Sequence, residues 1–124
     1  MQKSRKKVQI LLGELLKERK RLLRRLSQGH ELAIGTVSVV LRKCGNPGCR
    51  CVRGHRHPQT LFLFKDEEGR RRCKLVRRAD EVRLQEAGEL YRDFRRGLKR
   101  LRAIDRQEKL ILMAHLKRRA LRYE

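Results

Sequence analysis

The chain has 124 residues and carries 35 Lys and Arg against 14 Asp and Glu, which gives a formal net charge of +21 at pH 7. Charge of this size repels itself in a compact protein, so it predicts a polyanionic partner such as DNA, RNA or an anionic membrane. No apolar run approaches the ~20 residues that cross a bilayer, and the length predicts one domain, residues 1–124, with a thin core.

The first predicted element is a basic amphipathic helix over residues 5–28. Gly29 is expected to end it in the left-handed conformation. Glu14, Lys17 and Glu18 interrupt its apolar residues too early for a signal peptide, so we expect a cytoplasmic protein. Its apolar residues are spaced by threes and fours, as a helix requires: Val8, Leu11, Leu12, Leu15, Leu16, Leu22, Leu23 and Leu26.

Residues 32–76 predict a small three-stranded antiparallel meander. Alternating apolar and polar positions and frequent β-branched residues are typical of strands. A short turn that ends in Gly69 joins the last two strands. The predicted strands contain, in order, Val37, Val39 and Leu41, then residues 61–65, then residues 70–76.

A long basic C-terminal helical region is predicted over residues 79–122, because its apolar residues return to helical spacing. One helix of ~40 residues would be about 60 Å long. Asp105 and Glu108 imitate a capping box, so a kink or a break into two helices near Ala103 is the alternative. The fold class is therefore α+β: an N-terminal helix, a small meander with a zinc-knuckle-like loop, and a long C-terminal helix.

The leucine stripes of the two helices are expected to pack antiparallel against each other or against the sheet. The same pairing between two chains would give a homodimer, and a partner protein could use the same surface. The heptad register is too irregular to choose between these arrangements, because charged residues such as Glu108 fall on the seam.

Between the first two strands, the irregular loop 44–58 contains three Cys and two His. A reducing compartment disfavours disulfides, and zinc prefers four sulfur or imidazole ligands in a tetrahedron. The preferred ligand set is Cys44, Cys49, Cys51 and His57, with His55 or Cys73 as alternates for the fourth position. Alternation places Cys73 on the face of Leu75, which also predicts a small core residue. Four protein ligands leave no open position, so the zinc would be structural.

The loop sequence CGNPGCRC, followed by Gly54 and His57, resembles a family of small uncharacterised prokaryotic proteins with the core CGxPxCxC and then GxxH. The resemblance covers residues 32–124, and members are often encoded near transposases. It implies a cytoplasmic protein associated with mobile elements and supports the zinc site, but it implies no established activity. After His57 the chain has Pro58-Gln59-Thr60 instead of a Gly-Pro-aromatic run, which removes an aromatic surface that the resemblance would place there.

These patterns predict a nucleic-acid-binding protein that contacts the phosphate backbone and is not an enzyme. A membrane partner is not expected, because the basic residues are spread around the helices instead of lying opposite one broad apolar face. Low aromatic content, 4%, argues against single-strand binding by base stacking. Duplex DNA is slightly favoured over structured RNA, as in a ribosome-associated component, and a protein-interaction module is a further alternative. The candidate contact residues are Arg42, Lys43, Arg50, Arg53 and Arg56 in the loop, and Arg24, Arg25, Arg70, Arg71, Arg72, Arg95, Arg96, Lys99 and Arg100 elsewhere.

Overall fold

The computed structural model describes residues 2–42, Gly48, Gly54 and residues 57–124, with the backbone alone at Gln2 and Arg42. It confirms the α+β class, with an N-terminal helix, a three-stranded antiparallel sheet and a long C-terminal helix. In chain order the elements are α1 (Gln2–Leu26), β1 (Thr36–Arg42), β2 (His57–Lys65), β3 (Arg71–Leu75), a 3-10 turn (Arg78–Asp80) and α2 (Glu81–Arg119).

The chain divides into two compact units, which we describe separately. The helix-pair unit consists of Met1–Gly29 and Phe94–Glu124, and the sheet unit consists of His30–Asp93. Helix α2 contributes its first 13 residues to the sheet unit and the remainder to the helix-pair unit.

Helix α1 starts three residues earlier than predicted and ends two residues earlier. The left-handed ending at Gly29 was wrong, because positive φ among the described glycines occurs only at Gly35, Gly54 and Gly69. Ser27 closes the helix instead: its amide donates to the Leu23 carbonyl at 3.0 Å, and its hydroxyl donates to the Arg24 carbonyl at 3.2 Å. The basic last turn also suits the negative end of the helix dipole.

Within the helix-pair unit, α1 runs antiparallel to the C-terminal part of α2. Leu26 lies against Gly97, where an added Cβ would be 2.6 Å from the leucine Cδ2. Earlier along α1, Arg19 bonds Asp105, farther along α2. The buried residues of this unit include Ile104, which is fully buried, and glycine at 97 is explained by this close approach despite its cost in a helix.

Helix α2 is one continuous helix of 39 residues, about 58 Å long, with no break at Ala103. Asp105 and Glu108 do not form the capping box that their spacing imitates. Both carboxylates accept hydrogen bonds from Arg19 of α1 instead.

The sheet has the predicted meander order β1-β2-β3. The tight turn between β2 and β3 is fixed by the Asp66 carboxylate, which accepts the amides of Glu68 at 3.0 Å and Arg70 at 2.9 Å. Gly69 in this turn has φ +81°, a conformation that favours glycine.

Strand β2 begins at His57, four residues before the predicted start, so His57 and Pro58 belong to the strand and not to the predicted irregular loop. The reason is a long-range one: His57 pairs with Arg42 and Pro58 pairs with Leu41 across the antiparallel ladder. The end of β1 and the start of β2 therefore lie directly opposite each other.

One face of the sheet packs on the first turns of α2. An added Cβ at Gly88 would lie 3.0 Å from a Val37 methyl group, and the Ala33 amide donates to the Ala87 carbonyl at 3.0 Å. Cys73 is not the predicted core residue, because it is exposed on β3, as is Leu75.

Candidate nucleic-acid interface

Positive charge is concentrated in the helix-pair unit. It holds 21 of the 35 basic residues and 5 of the 14 acidic ones, a net charge of +16, which leaves +5 for the sheet unit. One-sign charge on so few residues is the electrostatic footprint of polyanion binding.

Three of those five carboxylates take part in ion pairs between the two helices. Arg19 donates to Asp105 and, at 2.5 Å, to Glu108, and these bonds raise the pKa of the guanidinium. Arg100 donates two hydrogen bonds of 2.7 Å to Glu18, which hold the pKa of that carboxyl below its usual value. The acidic residues thus serve helix pairing, and few of them remain to balance the outer surface.

The other basic residues of this unit, apart from Arg19 and Arg100, have exposed side chains. Five of them follow one another along α2 at intervals of three or four residues, which places them on one helix face. We call this row the α2 cationic stripe, and it is about 21 Å long at 1.5 Å per residue. It consists of Arg95, Lys99, Arg102, Arg106 and Lys109.

The predicted contact residues of the helices fall into two groups. Exposed side chains are found at Arg24 and Arg25 in the last turn of α1, and at Arg95, Arg96 and Lys99 on α2. In contrast, Arg100 is half-buried and is held by Glu18.

On the sheet, two of the three arginines predicted to contact nucleic acid form local ion pairs. Arg71 is exposed on β3. Arg70 lies 3.0 Å from Glu68, and the Arg72 guanidinium donates to Asp66 at 2.9 Å. Backbone and arginine hydrogen bonds hold the pKa of Asp66 below its usual value, so Arg72 faces a charged carboxylate at neutral pH.

Most of the predicted zinc loop lies outside the described residues, and this includes Lys43, Arg50, Arg53 and Arg56. The same holds for Cys44, Cys49, Cys51 and His55, while Arg42 is described only by its backbone at the end of β1. Of the preferred ligand set, the structure describes His57, exposed at the start of β2. No group of three or more His, Cys, Asp or Glu within the described ranges could hold a metal ion.

Sequence reasoning missed two features. Arg102, Arg106 and Lys109 are not part of contiguous basic runs, and only their helical spacing marks them. Sequence reasoning also missed a stacked pair, Phe62 and Phe64, whose ring centroids are 5.0 Å apart with an interplanar angle of 19°. The two-residue interval on a strand was the available signal, because it places both rings on one face.

Comparison with protein families matches residues 12–87 to a domain of unknown function, DUF6788. The chain belongs to this family. The DUF6788 region spans most of α1, the whole sheet and the first turns of α2. Neither the curated proteins nor the solved structures contain a significant match. Among the described helices, none combines the length and apolarity needed to cross a membrane.

Proposed function

We propose that this DUF6788 protein binds nucleic acid through its phosphate backbone, chiefly with the exposed cations of the helix-pair unit. The observation that carries the proposal is the division of charge within that unit. Carboxylates pair with Arg19 and Arg100 between the helices, while the α2 cationic stripe is exposed. A polyanion relieves the resulting repulsion and gains from release of its counterions.

The dimensions of the stripe suit a nucleic-acid backbone. A row of about 21 Å spans about six base pairs of B-form DNA at 3.4 Å per pair. Arginine is the commoner basic residue in the stripe, and its planar guanidinium binds phosphate oxygens in pairs. No part of this contact requires a particular base sequence.

The proposal includes a structural zinc in the loop between β1 and β2, held by Cys44, Cys49, Cys51 and His57. The pairing of Arg42 with His57 supports it, because Cys44 follows Arg42 by two residues and covalent geometry limits their Cα separation to about 7 Å. Zinc supplies no chemistry here beyond fixing the loop. A fixed loop presents its arginines with less loss of entropy on binding.

Duplex DNA is the favoured target, and the protein would act in the cytoplasm as an accessory to a mobile element. This part rests on the resemblance of the CGNPGCRC segment to proteins often encoded near transposases. Structured RNA is the alternative, and competition between duplex DNA and structured RNA of equal length at one salt concentration separates the two.

The stripe gives the sharpest test of the proposal. We expect the triple variant Arg102→Gln, Arg106→Gln and Lys109→Gln to weaken binding of a 30-base-pair fluorescent duplex. The slope of log affinity against log salt should become shallower by about 2 to 3, because each lost phosphate contact removes about 0.9. Fluorescence anisotropy at several salt concentrations measures both quantities.

A charge-matched control separates local contact from net charge. The variant Lys65→Gln, Arg78→Gln and Arg83→Gln removes three positive charges from the sheet unit. It should keep the wild-type slope. Equal losses in the two triple variants would contradict a role for the stripe.

Exposed apolar residues near the end of α2 favour a second candidate, a protein-interaction module. Leu110 is 70% exposed, and Leu112, Met113 and Leu116 are each at least half exposed. Such a row on one helix is typical of helix pairing with a second copy or a partner protein. Sedimentation velocity over a hundredfold range of concentration tests self-association, and a monomer throughout would exclude the homodimer.

A further inference from the structure

The sheet unit contains a groove of about 660 Å³, a volume typical of small-molecule sites. We call it the Phe62–Phe64 groove. Its floor is the β2 strand with the stacked rings of Phe62 and Phe64, and the start of α2 forms one wall through Leu84 and Ala87. Lys74 of β3 and Arg77 also line it.

The register of the sheet explains why aromatic rings and a cation meet here. Lys74 lies directly opposite Phe62 across the β2-β3 pair, and its ammonium is 5.8 Å from the centroid of the Phe64 ring. Gly35 gives the rings space, because a Cβ at that position would be 2.9 Å from a carbon of the Phe62 ring. The groove therefore offers planar apolar surface beside a positive charge.

The charged groups of the groove are unequal in their availability. Arg83 is engaged with Glu31 through hydrogen bonds of 2.9 and 2.7 Å, which hold the pKa of Glu31 below its usual value. Lys74 and Arg77 supply positive charge, and Asp80 supplies a carboxylate. A carboxylate accepts hydrogen bonds from amino groups such as that of cytosine.

We propose that the Phe62–Phe64 groove binds one unpaired nucleotide. The base stacks on the aromatic pair, and the phosphate lies beside Lys74 and Arg77. Stacking accepts any base, because every base has a π-face. The inference deepens the proposed function and rests on it for the source of the nucleotide: the bound nucleic acid carries an unpaired base, as at an end, a junction or a bulge. A free nucleotide has the same chemistry.

Titration with a free nucleotide tests the groove apart from polyanion binding. We expect adenosine monophosphate to shift the backbone NMR signals of Phe64, Lys74 and Ala87, at a salt concentration that abolishes duplex binding. In Lys74→Gln the affinity for the monophosphate should fall part of the way toward that for adenosine, because Arg77 remains, while the affinity for adenosine stays unchanged. No shift at these amides up to 10 mM nucleotide would overturn the proposal and leave the groove to another occupant, such as an apolar peptide.

Oligonucleotides test the source of the nucleotide, with a matched control in the third phenylalanine of the chain. We expect Phe64→Leu to weaken binding of a ten-nucleotide single strand about 5- to 150-fold, the contribution of one stacked base. Duplex binding should be unchanged in that variant. Phe94→Leu makes the same chemical change outside the groove and should alter neither affinity.

The outcomes separate the groove from the proposed function. Equal affinities of Phe64→Leu and the wild-type protein for the single strand would refute the groove as a site within nucleic acid, whatever the duplex result. Failure of the wild-type protein to bind any nucleic acid at low salt would refute the proposed function, while nucleotide shifts in the groove would still identify a free-nucleotide site. Circular dichroism checks that both leucine variants are folded.

Discussion

Replacing Gly35 by alanine should destabilise the sheet unit, because the added methyl group has no room there. The added Cβ would lie 2.3 Å from the backbone carbonyl oxygen of Leu63 and 3.1 Å from the Cβ of Phe64. Ordinary contact distances are 3.4 to 4 Å, so the carbonyl must retreat by about 1 Å. It belongs to the central strand, where Leu63 pairs with Thr36. Overpacking of this kind costs about 1–3 kcal/mol.

Gly13→Ala is the matched control. Its added Cβ meets nothing within 4 Å in the middle of α1, and alanine is the better helix former, so it should stabilise the protein by about 0.5–1 kcal/mol. The same methyl group therefore has opposite effects at the two positions.

Urea unfolding followed by circular dichroism gives the free energy of unfolding for both variants. Hydrogen exchange of amides in β1 and β2 locates the loss in the sheet. Unchanged stability and exchange in Gly35→Ala would refute the argument that the Leu63 carbonyl leaves no room at this position.

Three further predictions concern the ion pairs and the metal. Arg19→Gln leaves Asp105 and Glu108 without their partner and should lower the free energy of unfolding by up to about 1 kcal/mol. The loss should be smaller in 1 M salt than at low salt, and equal losses at the two salt concentrations would contradict an electrostatic cause. The pKa of Glu18 is lowered, so its bond to Arg100 stabilises the fold above the ordinary carboxyl pKa and is lost as pH falls below about 4. Acid unfolding of Glu18→Gln should therefore depend less steeply on pH than that of the wild-type protein. Removal of zinc by a chelator should speed hydrogen exchange at the loop ends of β1 and β2 and leave hydrogen exchange in α2 unchanged. Metal analysis that finds no zinc in protein purified without chelator would contradict the site.

The helices and the sheet order could be predicted from sequence because the signals are local. Leucines at intervals of three and four define α1 and α2, and the turn at Asp66 and Gly69 separates two alternating segments. The ends of the elements were less accurate. His57 and Pro58 join β2 only because Leu41 and Arg42 lie opposite them, and that pairing depends on residues far apart in sequence.

The wrong assignment of Cys73 has a related cause. Alternation places Cys73 and Leu75 on one face of β3, but it does not say which face a helix will cover. Helix α2 packs against Val37, whose cross-strand partner is Phe62. These two residues lie on the face of the sheet opposite to that of Cys73 and Leu75.

The candidate interface was predictable in total charge but not in detail. Composition alone gave +21. Composition could not show that Asp105 and Glu108 pair with Arg19, because a spacing of three residues in sequence also fits a helix cap. That long-range pairing is what leaves the outer surface of the helix-pair unit so nearly one-signed.

The salt dependence of duplex binding by the wild-type chain tests the central claim most directly. With six to ten phosphate contacts, affinity for a 30-base-pair duplex should fall by about three to five decades between 50 and 200 mM salt. Affinity that does not change with salt, or no binding of DNA or RNA at 50 mM, would contradict backbone recognition by the exposed cations.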